Sequence, residues 1–287
     1  MKKKKAFGRF RNTMKVFFSR GLITKISFFV IVFFVVLAVF APFVCQDPTK
    51  VNLVMKFKLP SAEHWLGTDS FGRDILSRII YGTRISLLAS LASGLLAAVV
   101  GITLGLIAGY YEKFAGSVIM RLVDVQLSIP PLIFSMIICA IFGSGIFQTV
   151  IAIGVGMIPT YVRMVHGTVL SLKNNDYITA TALLGQKSWV ILVKHLLPNC
   201  YPSIIVLFTM NLGSAILSEA GLSFIGLGIV SPDISWGSMV AEGYSNLVKV
   251  PLLAIMPGLC IALVVVALNF IGDGMRDALD PKLRGKL

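Results

Sequence analysis

The chain has 287 residues, 56% hydrophobic and 14% charged, with a net charge of +13 at neutral pH and a mean hydropathy of +0.86. A soluble domain of this length must cover itself with polar groups, so the composition excludes one and points to repeated membrane crossing. Nor does the basic excess indicate nucleic acid: nine of the 26 basic residues fall within the first 25 positions and abut an apolar run, the pattern of an orientation signal and of anionic-lipid contact.

Charge-free runs of about 20 residues predict six membrane-spanning helices. The first covers about 26–44. Its apolar run is longer than a signal-peptide core of about 7–15 residues, and no small-x-small site follows, so an uncleaved span is expected. The second covers about 85–111 and carries Ala97, Gly101, Gly105 and Gly109 at every fourth position on one face. Small residues at that spacing let helix backbones approach closely, which favours helix packing over a pore-lining groove. Gly109, nearer the end of the span, is expected to tolerate substitution better than Gly105.

Between Asp124 and Arg163 lie 38 uncharged residues, too many for one crossing. Gly143-Ser144-Gly145 divides them into a third span, about 125–142, and a fourth, about 146–162. Pro130-Pro131 predicts a helix start or kink within the third. The fifth and sixth spans cover about 201–218 and 252–272, which leaves both termini on one side. With the N-terminus inside, 19 basic residues fall on inner segments and seven on outer ones, so the positive-inside bias predicts 1–25, 112–122, 164–199 and 274–287 inside, with 45–84 and 222–250 outside.

Enzyme and metal constellations are missing from the sequence. Cys45, Cys139, Cys200 and Cys260 form no C-x-x-C pair, His64, His166 and His195 are dispersed, and the only Gly-Lys step, at 285–286, has no glycine-rich approach. No P-loop can therefore form here. Ionisable groups are nearly absent from the spans, against a proton-coupled carrier, and their polar residues are few, among them Gln148, Asn211 and Asn269.

One inner loop stands out, at 174–199. Asn175 or Asp176 can cap a helix on which Tyr177, Ala180, Thr181 and Leu184 share a face. Gly185 can end it in the left-handed conformation. Ser188 can start a second helix over 189–197, which Pro198 is expected to close. The alternative to a protruding helix–turn–helix is a helix lying on the bilayer.

This loop resembles the cytoplasmic coupling loop of binding-protein-dependent ABC permeases, E-A-A-x-x-x-G followed by nine residues and I-x-L-P. Ala180, Gly185, Leu197 and Pro198 match in register, while Thr179, Thr181 and His195 stand in place of the Glu, the second Ala and the Ile. The run from His64 to Arg78 is similar to the family's H-x-L-G-T-D-x-x-G-R-D-x-x-S-R segment. Glu219 to Gly228, with Ser235-Trp236-Gly237, resembles E-A-x-L-S-F-L-G-L-G…S-W-G, and Asp273 to Pro281 matches the C-terminal signature. Four motifs in order identify the chain, from about residue 25 to its end, as similar to the C-type permeases of the dipeptide/oligopeptide/nickel group.

The resemblance implies an all-α, six-helix type I ABC importer permease in the bacterial inner membrane, with both termini cytoplasmic. It is non-catalytic and holds no cofactor, since ATP-Mg belongs to partner subunits. The implied partners are a homologous B-type permease, two cytoplasmic ATPases, an extracytoplasmic solute-binding protein and membrane lipid, with no nucleic acid. A basic tail, first span and outer loop would occupy 1–84, the permease domain 85–275 and a cytoplasmic tail 276–287. Asp176, Tyr177, Thr179, Ala180, Thr181, Leu184, Gly185, Leu197 and Pro198, within the 176–198 loop, are the expected ATPase-coupling residues. Di- or oligopeptides are the expected substrate, nickel or a metal chelate the alternative, and a secondary transporter the rival of another class. Asp69, Arg73 and Asp74 read as a loop tied by ion pairs in preference to a substrate site, and Glu219 as either an interface partner or a gate.

Overall fold

The computed structural model describes residues 17, 18, 21–45 and 47–279. The basic cluster at 2–20, apart from the two phenylalanines at 17 and 18, and the tail from 280, with its Gly-Lys step, lie outside the described residues. Helices make up about three quarters of the described residues: α1 (Leu22–Val44), α2 (Ile75–Tyr110), α3 (Phe114–Leu127), α4 (Pro131–Phe142), α5 (Ile146–Lys173) and α6 (Asp176–Leu183). They continue with α7 (Ser188–Phe224), α8 (Trp236–Ser245) and α9 (Leu252–Leu279). Five of these, α1, α2, α5, α7 and α9, are long and apolar enough to cross a membrane, and the bent pair α3–α4 makes a sixth.

Several boundaries differ from the sequence-based expectation: α5 runs on to Lys173 and α9 to Leu279, and three places have a local cause. First, α2 begins at Ile75, ten residues before the predicted 85. The Asp74 carboxylate caps it by accepting the Ser77 N–H at 2.7 Å, satisfying one of the orphan amides of the first turn. Arg78 can sit inside that turn because it is buried and paired, as described below. Second, the third span breaks at the proline pair, as predicted, and sharply: α3 ends at Leu127, α4 starts with Pro131 in its first position, and the axes turn by 89° between them. Proline lacks the amide needed to continue α3 but suits the first turn of a new helix. Third, Pro198 does not close the second coupling helix. A π-helical stretch, Ile191–Leu196, precedes it, and its wider turn takes up the register change that proline would otherwise impose. The helix is continuous through Pro198, 37 residues from Ser188 to Phe224.

The core lies between α2 and its neighbours. Trp236, fully buried, joins Phe34 of α1, Ile216 of α7 and Val264, Val265 and Leu268 of α9. Its indole N–H donates to the Ile79 carbonyl at 3.2 Å, so the ring satisfies its polar edge within the core. Ser235 and Ser238 form a reciprocal capping box that starts α8 beneath it.

Candidate functional site

The helix–turn–helix at 176–198 begins with α6, whose Ile178 and Thr179 amides bond back to the Asn175 carbonyl at 2.9 and 3.1 Å. Ile178 is its anchor. It is buried with Val165 and Val169 of α5 and with Ile191, Leu196 and Cys200 of α7. Thr181, half-buried, turns its hydroxyl onto the Tyr177 and Ile178 carbonyls at 2.9 and 2.7 Å. At the turn Gly185 has φ +76°, and a Cβ there would meet nothing within 4 Å. Its requirement is therefore one of backbone conformation alone. Beyond the turn, His195 Nε2 and Gln186 Oε1 lie 3.0 Å apart, and Asn199 donates to the His195 carbonyl at 2.6 Å. The residue standing in the family's Ile position thus ties the loop to α7.

Between these anchors an apolar surface is left open. Leu183 and Leu184 are 84% and 85% exposed, Trp189 60% and Tyr177 44%, with Ala180 and Thr179 exposed beside them and Asp176 at the helix start. Leu197 is half-buried and Pro198 exposed. Sequence periodicity placed Thr181 on this face and missed Leu183 and Trp189. Near a helix end two adjacent leucines can both point outward, and that was the available signal. Ile178 was also missed, because its partners come from α5 and α7.

Ala97, Gly101, Gly105 and Gly109 lie along the contact of α2 with α5, within this one chain. A Cβ on Gly101 would stand 2.5 Å from that of Tyr161, on Gly105 2.8 Å from that of Val165, and on Gly109 2.6 Å from that of Val169. Ala97 is fully buried. Gly109 is packed as tightly as the other two, contrary to the tolerance expected from its place near the end of the span, because α5 continues to Lys173 and covers it.

Glu219 is fully buried on α7. Its carboxylate accepts from the Ser86 hydroxyl of α2 at 3.0 Å and from the Ser223 hydroxyl at 2.8 Å. Both hydroxyls accept in turn: Ser86 from the Trp236 N–H at 3.1 Å and Ser223 from the Ile229 N–H at 2.9 Å. Glu219 is thus a hub within the chain, joining α2, α7 and the 225–235 segment.

A second polar hub holds the 47–74 segment. Asp69, fully buried, accepts the Phe71 and Arg73 amides at 2.8 and 2.9 Å, the Arg73 guanidinium at 2.6 Å, and also Arg78. Glu242 of α8 accepts from Arg78 at 2.7 Å, Arg73 at 3.2 Å and Ser70 at 2.5 Å. His64 pairs with Asp74 at 3.0 Å. Each charged side chain of this cluster is paired with another, so it shapes the segment, and among the described residues Arg78 Nε is left buried without a partner. Among the described residues no group of three or more His, Cys, Asp or Glu could hold a metal.

Comparison with known proteins agrees with this architecture. Residues 101–285 match the family model described as a binding-protein-dependent transport system inner membrane component. The chain is 48% identical over 225 residues to a glutathione transport system permease protein, GsiD, of Pectobacterium atrosepticum, covering 78% of this chain and 75% of that protein. It is 40% identical to a dipeptide transport system permease protein, DppC, of Alkalihalophilus pseudofirmus, covering 90% and 86%. Identity to a di/tripeptide transport system permease protein, DppC, of Pseudomonas aeruginosa is 41%, covering 93% and 89%. Among solved structures, an inward-facing MetNI methionine ABC transporter chain superposes with a TM-score of 0.60 at 19% identity, over 72% of this chain and 98% of that one. At that identity the likeness concerns the fold.

Proposed function

The chain belongs to the binding-protein-dependent transport system inner membrane components, as a multi-pass, non-catalytic permease subunit of an ABC importer, and from that membership we propose that its cargo is di- or oligopeptides and that energy enters through the 176–198 hairpin. Peptide cargo is supported by the names of its relatives, which carry dipeptides, di/tripeptides and glutathione. Both termini face the cytoplasm, an orientation supported by the 19-to-seven distribution of basic residues. A homologous B-type permease completes the pathway, two cytoplasmic ATPases bind and hydrolyse ATP-Mg, and an extracytoplasmic binding protein delivers the solute.

The observation that carries the coupling reading is the contrast within the hairpin. Ile178 and Ile191 fix it to α5 and α7, while Tyr177, Ala180, Leu184 and Trp189 are left exposed by the described residues. An open apolar face on a rigid mount suits a groove in a partner protein. Reconstitution of the full complex tests the reading: uptake of a labelled dipeptide should require ATP and the binding protein and stop with vanadate. Orientation is read by cysteine labelling in intact cells, in a background free of native cysteines. An impermeant reagent should modify position 56 and spare position 187, and the reverse result refutes the topology.

A further inference from the structure

A break in a membrane span leaves backbone groups without helical partners, and hydrocarbon supplies none; such breaks persist only where protein covers them or water reaches them. The elbow between α3 and α4 turns the chain by 89°. Two measures give its depth. From the 143–145 turn, α4 runs 12 residues back to Pro131, about 18 Å. On α5 the Gln126 side chain donates to the Val155 carbonyl at 2.7 Å, and Val155 lies nine residues from Ile146, about 14 Å. Both put the elbow roughly halfway through about 30 Å of hydrocarbon.

The described residues leave the elbow uncovered: Val125, Leu127, Ser128 and Pro130 are exposed. Just beyond it Asp124 accepts from Arg163 at 2.7 Å, with side chains 48% and 56% exposed. Arg163 is 17 residues from Ile146, about 26 Å along α5, at the inner edge of an apolar layer of about 30 Å. A half-open ion pair beside half-open irregular backbone is a poor match for acyl chains. Interrupted spans with polar groups at their break commonly line a solute path.

We propose that the 124–131 elbow lines the water-filled translocation pathway, with Asp124 and Arg163 forming a charge-balanced wall that suits a solute carrying both an ammonium and a carboxylate. The inference rests on the permease reading above and deepens it. A lone cation or anion on the wall would attract one end of a zwitterionic peptide and repel the other, whereas a pair serves both ends. Removing either member should therefore leave a wall with a preference of sign.

Two measurements on the assembled complex in proteoliposomes test this. With the native cysteines replaced, Ser128→Cys should react with a charged, water-soluble methanethiosulfonate in either the nucleotide-free or the vanadate-trapped state, and transported dipeptide should protect it. Reaction only with a lipid-soluble maleimide would place the elbow against lipid, and no reaction with either reagent would place it under the partner permease; each overturns the inference. Arg163→Gln should lower uptake of glutamyl dipeptides relative to lysyl dipeptides by about tenfold, and Asp124→Asn should shift the ratio the opposite way. Equal losses for both peptides would make the pair merely structural and overturn its role. Uptake by the wild-type chain separates the two levels of the reading. If the wild-type complex transports no peptide, the cargo assignment falls while labelling of the Ser128→Cys protein still decides the elbow.

Discussion

Ser86 and Glu219 lie 133 positions apart in the chain and are joined by a hydrogen bond of 3.0 Å in the interior of the helical bundle. The same Ser86 hydroxyl accepts the Trp236 N–H, so one carboxylate holds α2, α7 and the start of α8 in mutual position. Glu219→Leu should lower stability by about 1–3 kcal/mol, the cost of leaving buried hydroxyls without an acceptor. Glu219→Gln keeps one carbonyl acceptor and should lose roughly half as much. Thermal unfolding of the purified permease in detergent gives the order; equal stability of all three proteins would show that the hub carries no weight.

The Asp69 hub gives a second ranking. Asp69→Ala strips a buried guanidinium, Arg78, of its nearest carboxylate and frees two backbone amides. Its cost should fall near the roughly 3–5 kcal/mol seen when one member of a buried pair is removed. Glu242→Ala should cost distinctly less, since Glu242 is 19% exposed and Asp69 remains. Protease sensitivity of the 47–74 segment reports both, and a larger effect at Glu242 would reverse the assignment of Asp69 as the centre.

Along the α2–α5 seam, Gly105→Leu should abolish folded protein, because its Cβ alone would stand 2.8 Å from that of Val165. Gly101→Ala and Gly109→Ala should each cost about 1–3 kcal/mol, the usual range for overpacking. The yield of monodisperse permease after detergent extraction measures this. Wild-type yield for Gly109→Ala would contradict the close approach at that end.

For the hairpin, Gly185→Val places a β-branched residue at φ +76°, a strain of about 1–3 kcal/mol that α6 and α7 can relieve only by reorienting. Ala180→Asp puts a charge on the open apolar face. Both proteins should insert normally and lose transport, with the ATPases either absent on co-purification or hydrolysing without uptake. Normal transport by both, with the ATPases bound, would remove the hairpin from the coupling route.

Much of this architecture is readable from local sequence, and the residues that escaped share a cause. The spans followed from charge-free runs, and the positive φ at Gly185 was visible from the pattern around it. Pro131 announced a break, though not its 89° angle, which depends on how α4 packs against α5. Arg78 was read as loop because an arginine in an apolar helix is improbable unless neutralised, and Glu242, one of its two neutralising partners, lies 164 positions away. Pro198 reads as a helix stop until the π turn before it is seen. Ile178 looks like any other apolar residue of α6 until α5 and α7 close over it. Pairings across that distance have no local signature.

The seam between α2 and α5 has a mechanical consequence. With Gly101, Gly105 and Gly109 seated against Tyr161, Val165 and Val169, the two helices pack backbone to backbone over this stretch and should tilt as a unit. They form one strut, about 54 Å long over the 36 residues of α2. One end carries the Ile178 seat of the hairpin, through Val165 and Val169, and the other the Asp69–Arg78 cluster. A tilt of about ten degrees at the first end displaces the second by about 9 Å. Motion delivered on one face of the membrane therefore reaches the other as displacement of a stiff rod, with no intervening chain of small side-chain adjustments.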